Sequence, residues 1–127
     1  MRLLYVLIGG AIGSLLRYLV SGFVQEKVSP TFPWGTLAVN LLGCFLIGFL
    51  WEHFEYVTAA SAIRTFAFIG ILGSFTTFSA FSIETINLLR DKDFLTAAIN
   101  IFANNFFGLA LCFGGYLIAR HISNFIR

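Results

Sequence analysis

Apolar residues fill four long stretches of this chain, and the polar ones collect between them. A helix needs about 20 residues to cross the hydrocarbon core of a bilayer, and segments at roughly 3–24, 34–51, 61–88 and 94–119 meet that length. An even number of crossings puts both termini on one side. Pro30 and Pro33 stop any continuous helix between the first and second stretches. Glu52, His53 and Glu55 charge the next connection, and Arg90-Asp91-Lys92-Asp93 makes a tight, self-neutralising loop before the last. The pattern predicts an all-α integral membrane protein with four transmembrane helices forming a single domain over 1–127.

Breaks in the apolar pattern say more than the stretches do. Gly9 and Gly13 form a small-xxx-small face on the first span, suited to close helix packing. Trp34 and Trp51 stand 17 residues apart, about 25 Å along a helix, so both indoles reach the interfacial belts. Between them, Asn40 is the strongly polar side chain of the second span, and a buried amide must bond a neighbouring helix or face water. The third stretch would be about 42 Å long as a continuous helix, longer than the hydrocarbon core. Its middle, Gly70 to Ser82, is dense in glycine and hydroxyl residues, which predicts a third helix broken near Gly73–Thr77. Irregular backbone at membrane depth survives only inside protein or beside a water-filled cavity, so the break predicts an internal site. Glu84 near the emerging end reads as a cavity acid or an interfacial residue. On the fourth span, Asn100, Asn104 and Gly108 recur every four residues and drift about 40° per step, an open polar stripe that reads as a hydrated track. Asn105 falls off that line.

Composition narrows the classes. With 58% hydrophobic and 11% charged residues, the chain is far below the roughly 25% charge of a soluble domain. Phenylalanine alone occurs 16 times. The first stretch is too long for a signal-peptide core, carries Arg17 and lacks a clear small-residue cleavage site, so it is expected to stay. Cys44 and Cys112 both fall within spans and read as packing residues, and His53 and His121 have no metal-ligand spacing to a partner. No nucleophile–base pair is visible, which argues against an enzyme. A guanidinium inside a span costs at least about 2.5–3.5 kcal/mol at the centre unless it snorkels or lines a cavity, and periodicity leaves both readings of Arg17 open. Arg2, Arg64, Arg120 and Arg127 fall on one side of the membrane, against Lys27, Arg90, Lys92 and possibly Arg17 on the other. This even division gives almost no orientation signal, so the chain is expected to insert both ways and to pair as an antiparallel dimer.

Gly35-Thr36-Leu37-Ala38-Val39-Asn40 with Gly43, followed by Gly73 and the string Thr76-Thr77-Phe78-Ser79-Ala80-Phe81-Ser82-Ile83-Glu84, resembles the Fluc/CrcB fluoride channels over essentially the whole chain. The resemblance implies an antiparallel, dual-topology homodimer in the cell membrane, with two pores that let fluoride leave the cell passively. It implies that Phe78 and Phe81 line each path together with Asn40, Thr77, Ser79, Asn100, Asn104 and Gly108, with Arg17 and Glu84 in a vestibule. It further implies a structural sodium ion at the dimer centre, held by the backbone carbonyls of Gly73 and Thr76. Its partners are then fluoride, a second copy and the lipid bilayer, with no nucleic acid. Ser74 stands where a second glycine is common, Ala80 replaces a frequent threonine, and Asn104 and Gly108 replace smaller or hydroxyl-bearing track residues. A small dual-topology multidrug exporter is the rival reading, but proton-coupled export of cations wants a membrane carboxylate on the first span, which holds Arg17 instead.

Overall fold

The computed structural model describes residues 1–57 and 59–127. Four helices long and apolar enough to cross a membrane run over Arg2–Lys27, Trp34–Tyr56, Ser61–Arg90 and Phe94–Ile126, and no strand occurs among the described residues. The protein is therefore a multi-pass membrane protein. Its exposed surface is rich in Leu, Ile and Phe on every span, the inverse of a soluble fold and the surface that lipid requires.

The helices extend a few residues past the apolar limits because the connections tie their ends. Gln25 donates through Nε2 to the carbonyls of Ser29 (2.8 Å) and Phe32 (3.0 Å), while its Oε1 accepts from Gly35 N–H at 3.0 Å. One side chain thus folds the proline-containing connection and satisfies a free amide at the start of the second span. Asp93 caps the fourth span through Thr96 N–H at 3.2 Å, and Lys92, at φ 60°, turns the chain between the third and fourth.

Glycines set how closely the spans approach. The first span lies backbone to backbone on the third, where a Cβ on Gly9 would stand 2.7 Å from the Phe66 carbonyl oxygen and 2.8 Å from Gly70 Cα. The second and fourth spans pack in parallel with Gly48 against the Cys112 backbone and Gly115 against that of Phe45 and Phe49. Dispersion and main-chain contact, rather than expulsion of water, hold helices together in lipid, and small residues maximise both. The fourth span widens to a π-helical turn over Ala103–Phe107, and the third does so over Thr65–Leu72.

Candidate functional site

The third span does not run straight through. A single turn, Gly73–Phe75, ends at Thr76 (φ −81°, ψ 154°) and Thr77 (φ −148°, ψ 113°), both extended, before the helix Phe78–Arg90 begins. Two amides that would close helical turns are taken by side chains instead. Thr77 N–H donates to Asn40 Oδ1 at 2.8 Å, and Ala80 N–H donates to Thr77 Oγ1 at 3.1 Å, so Thr77 caps the new helix. The carbonyls of Gly73 and Thr76, four residues before those amides, thereby lose the donors that an unbroken helix would give them.

Asn40 holds the break from the second span. Besides accepting from Thr77 N–H, it donates through Nδ2 to the Thr77 carbonyl at 3.1 Å and to Asn104 Oδ1 at 3.0 Å. Asn104 in turn donates to the carbonyl and the Oδ1 of Asn100, each at 3.0 Å. Asn100, only 1% exposed, donates to Thr85 Oγ1 at 3.0 Å, whose hydroxyl donates to the Phe81 carbonyl at 2.8 Å. The polar groups of three spans therefore join in one line from Thr77 to Phe81.

Two cavities flank the break. The smaller, about 340 Å³, is lined by Asn40, Thr76, Thr77, Phe78, Phe81 and Asn104, and by Gly73 and Asn105 as well. The rings of Phe78 and Phe81 stand 5.3 Å apart and tilted at 51°. Phe81 is buried at 7% exposure, whereas Phe78 is 76% exposed and projects off the protomer. Aromatic edges are electropositive, so tilted rings offer a small anion attraction without a fixed charge. The larger cavity, about 960 Å³, is lined by Arg17, Ser21, Thr36, Thr77, Ser79 and Glu84. Among the described residues Arg17 makes no ion pair. Glu84 Oε1 accepts from Thr36 Oγ1 at 2.6 Å, while its buried Oε2 has no hydrogen-bond partner among the described residues. Thr77 Oγ1 and Ser79 Oγ lie 3.3 Å apart, and that contact uses one of their two hydroxyl hydrogens, leaving the other for a ligand. Thr77 is the residue common to both cavities.

The expected site residues thus separate into groups. Asn40, Thr77, Phe78, Phe81 and Asn104 meet at the smaller cavity, beside Gly73 and Thr76, and Arg17, Ser79 and Glu84 meet at the larger. Asn100 and Gly108 line neither. Gly108 is buried, with Cys44 Sγ 3.4 Å from where its Cβ would be. The stripe read as a hydrated track is, in its Asn100–Asn104 part, a set of amides bonded to one another. Asn105, placed off the stripe, faces the smaller cavity with Asn104, because the π-helical turn breaks the even 100° step on which the stripe was drawn. Thr85 and Gln25 were missed. Thr85 lies seven residues before Lys92 and Asn100 eight after it, so a helical hairpin turning at Lys92 brings them together, a signal present in the sequence.

Residues 4–116 match the model of a family described as "CrcB-like protein, Camphor Resistance (CrcB)". A protein of Desulforapulum autotrophicum named "Fluoride-specific ion channel FluC" is 42% identical over 95% of this chain and 98% of its own length. Proteins of the same name from Parabacteroides distasonis, 40% identical over 99% of this chain and 98% of their own length, and from Geobacter metallireducens, 46% identical over 89% and 92%, are similar as well.

Proposed function

The chain belongs to the CrcB family, and on that premise we propose that it is a fluoride-selective channel, not an enzyme, through which fluoride leaves the cell passively across the cell membrane. The observation that carries the proposal is the Thr76–Thr77 break, beside which the Phe78 and Phe81 rings line one cavity and the Thr77–Ser79 hydroxyl pair lines the other, with Thr77 shared by both. Fluoride holds its water tightly. Hydroxyl hydrogens replace that water, and ring edges attract the ion too weakly to trap it, as conduction requires. Arg17 makes the wider cavity attractive to anions.

The active form is an antiparallel, dual-topology homodimer with two pores. Phe78, exposed beside a cavity that opens on the protomer surface, is then covered by the second copy. The carbonyls of Gly73 and Thr76 fit a sodium ion at the dimer centre, because the Thr77 and Ala80 amides that would have occupied them are bonded elsewhere. Bound there, the ion supplies a fixed positive charge that holds the broken spans together. The even division of Lys and Arg between the two sides supports dual insertion.

Purified protein in liposomes should release fluoride and retain chloride. Proton-coupled exchange of a cationic drug, without fluoride release, would reject the channel in favour of an exporter. Reporters fused to the C-terminus should be found on both sides of the membrane, and a single location would reject the antiparallel dimer.

A further inference from the structure

The polar line between the break and Phe81 has a direction. Thr77 N–H can only donate, so Asn40 must present its oxygen there and its NH₂ group to Asn104. The same orientation repeats through Asn104 to Asn100 and from Asn100 to Thr85, whose hydroxyl then faces the Phe81 carbonyl, a group that can only accept. Both ends independently demand one polarity, and every link between them has it. Hydrogen bonds aligned head to tail polarise one another, so the line is stiffer than separate pairs would be.

The amides of this line have few hydrogens left to offer an ion. Asn40 uses both Nδ2 hydrogens, on the Thr77 carbonyl and on Asn104, and Asn104 directs its own to Asn100. Asn100 is buried and lines neither cavity. Resting on the channel reading above, we propose that Asn40, Asn104, Asn100 and Thr85 form a positioning chain that holds the Thr77 backbone and the Phe81 turn in fixed register, and that Thr85 and Asn100 influence the ion only through that chain. The donors and ring edges that meet fluoride are then those of Thr77, Ser79, Phe78 and Phe81. Their spacing is set by the chain, and a fixed spacing separates a small anion from a larger one.

Liposome efflux of fluoride and of chloride tests this with Thr85→Val, Thr85→Ser, Asn104→Asp and the double variant Thr85→Val/Asn104→Asp. Val keeps the shape of Thr85 but neither donates nor accepts, and ionised Asp keeps the shape of Asn104 but cannot donate to Asn100. Each is expected to lower fluoride flux about tenfold, the effect of losing roughly one charge-free hydrogen bond's worth of order, and to lower the fluoride-to-chloride ratio in a protein that still elutes as wild type. Thr85→Ser should restore what Thr85→Val loses. Because either cut opens the same chain, the double variant should be no worse than the poorer single one. Multiplied losses in the double variant, or an unchanged flux and ratio in both singles, would overturn the proposal. If Thr85→Val does not fold, Asn104→Asp alone against wild type decides, by whether the anion ratio falls. Wild-type protein that releases no fluoride would reject the channel reading itself, a result distinct from unaffected variants.

Discussion

Asn40, on the second span, grips both backbone polar groups of Thr77 on the third, its Oδ1 2.8 Å from the amide nitrogen and its Nδ2 3.1 Å from the carbonyl oxygen. A carboxamide is the one neutral side-chain group that offers a donor and an acceptor in this peptide-like geometry, so it takes the place of the missing helical neighbours. Asn40→Leu keeps the volume and removes both bonds. Each buried backbone group left without a partner costs about 1–3 kcal/mol, so unfolding in detergent should occur markedly earlier and fluoride efflux should collapse. Wild-type stability in this variant would show that the break stands without Asn40.

Phe78 and Phe81 are three residues apart yet differ in burial, which separates packing from action on the ion. Phe81→Ala should destabilise the protomer by about 3–5 kcal/mol, as expected for a buried phenylalanine, whereas Phe78→Ala should change protomer stability by no more than about 0.5 kcal/mol. Isoleucine at either position keeps apolar bulk but removes the ring quadrupole, and each variant is expected to elute as wild type yet barely pass fluoride. Normal liposome efflux from the Phe78→Ile or Phe81→Ile variant would remove that ring from the path.

Two adjacent glycines on the first span should respond differently to the same methyl group. At Gly9 it meets the main chain of Phe66 and Gly70, which cannot turn aside, while at Gly10 nothing lies within 4 Å. Gly9→Ala is expected to cost about 1–3 kcal/mol by forcing two spans apart, and Gly10→Ala to stay within about 0.5 kcal/mol of wild type. Thermal unfolding of the two variants side by side checks it, and equal midpoints would mean that the first and third spans do not meet at Gly9.

Arg17 faces the wider cavity without an ion pair among the described residues, so its charge acts at a distance through water. Arg17→Gln should slow fluoride efflux at low ionic strength and matter little near 1 M salt, where the screening length falls to about 3 Å. A loss of the same size at both salt concentrations would point to a direct contact instead.

Much of this architecture was legible from the chain. The spans followed from length and hydropathy, and a glycine- and hydroxyl-rich middle in an overlong third stretch marked the place where the backbone of Thr76 and Thr77 is extended. The stripe on the fourth span was legible only in part. Its phase assumed a uniform helix, and the π-helical turn at Ala103–Phe107 rotates Asn105 to the cavity that Asn104 also lines. An apolar setting told that Asn100 and Asn104 need partners, but periodicity carries no information on whether a partner is water or another amide. Thr85 was passed over because a single hydroxyl near a helix end has no pattern of its own; its meaning comes from Asn100 across the hairpin. The role of Gln25 lies in a loop fold that no repeat announces.

Among the described residues Thr77 alone borders both cavities, and this has an electrical consequence. Where solution fills the two cavities, the membrane voltage no longer falls evenly across about 30 Å of hydrocarbon but is concentrated toward the residues that separate them. A potential of 100 mV is worth about 2.3 kcal/mol to a single charge that crosses it. Concentrated so, that energy acts on the ion in the one short step where it has exchanged water for hydroxyls and ring edges. Ion occupancy beside Thr77 should therefore depend on voltage.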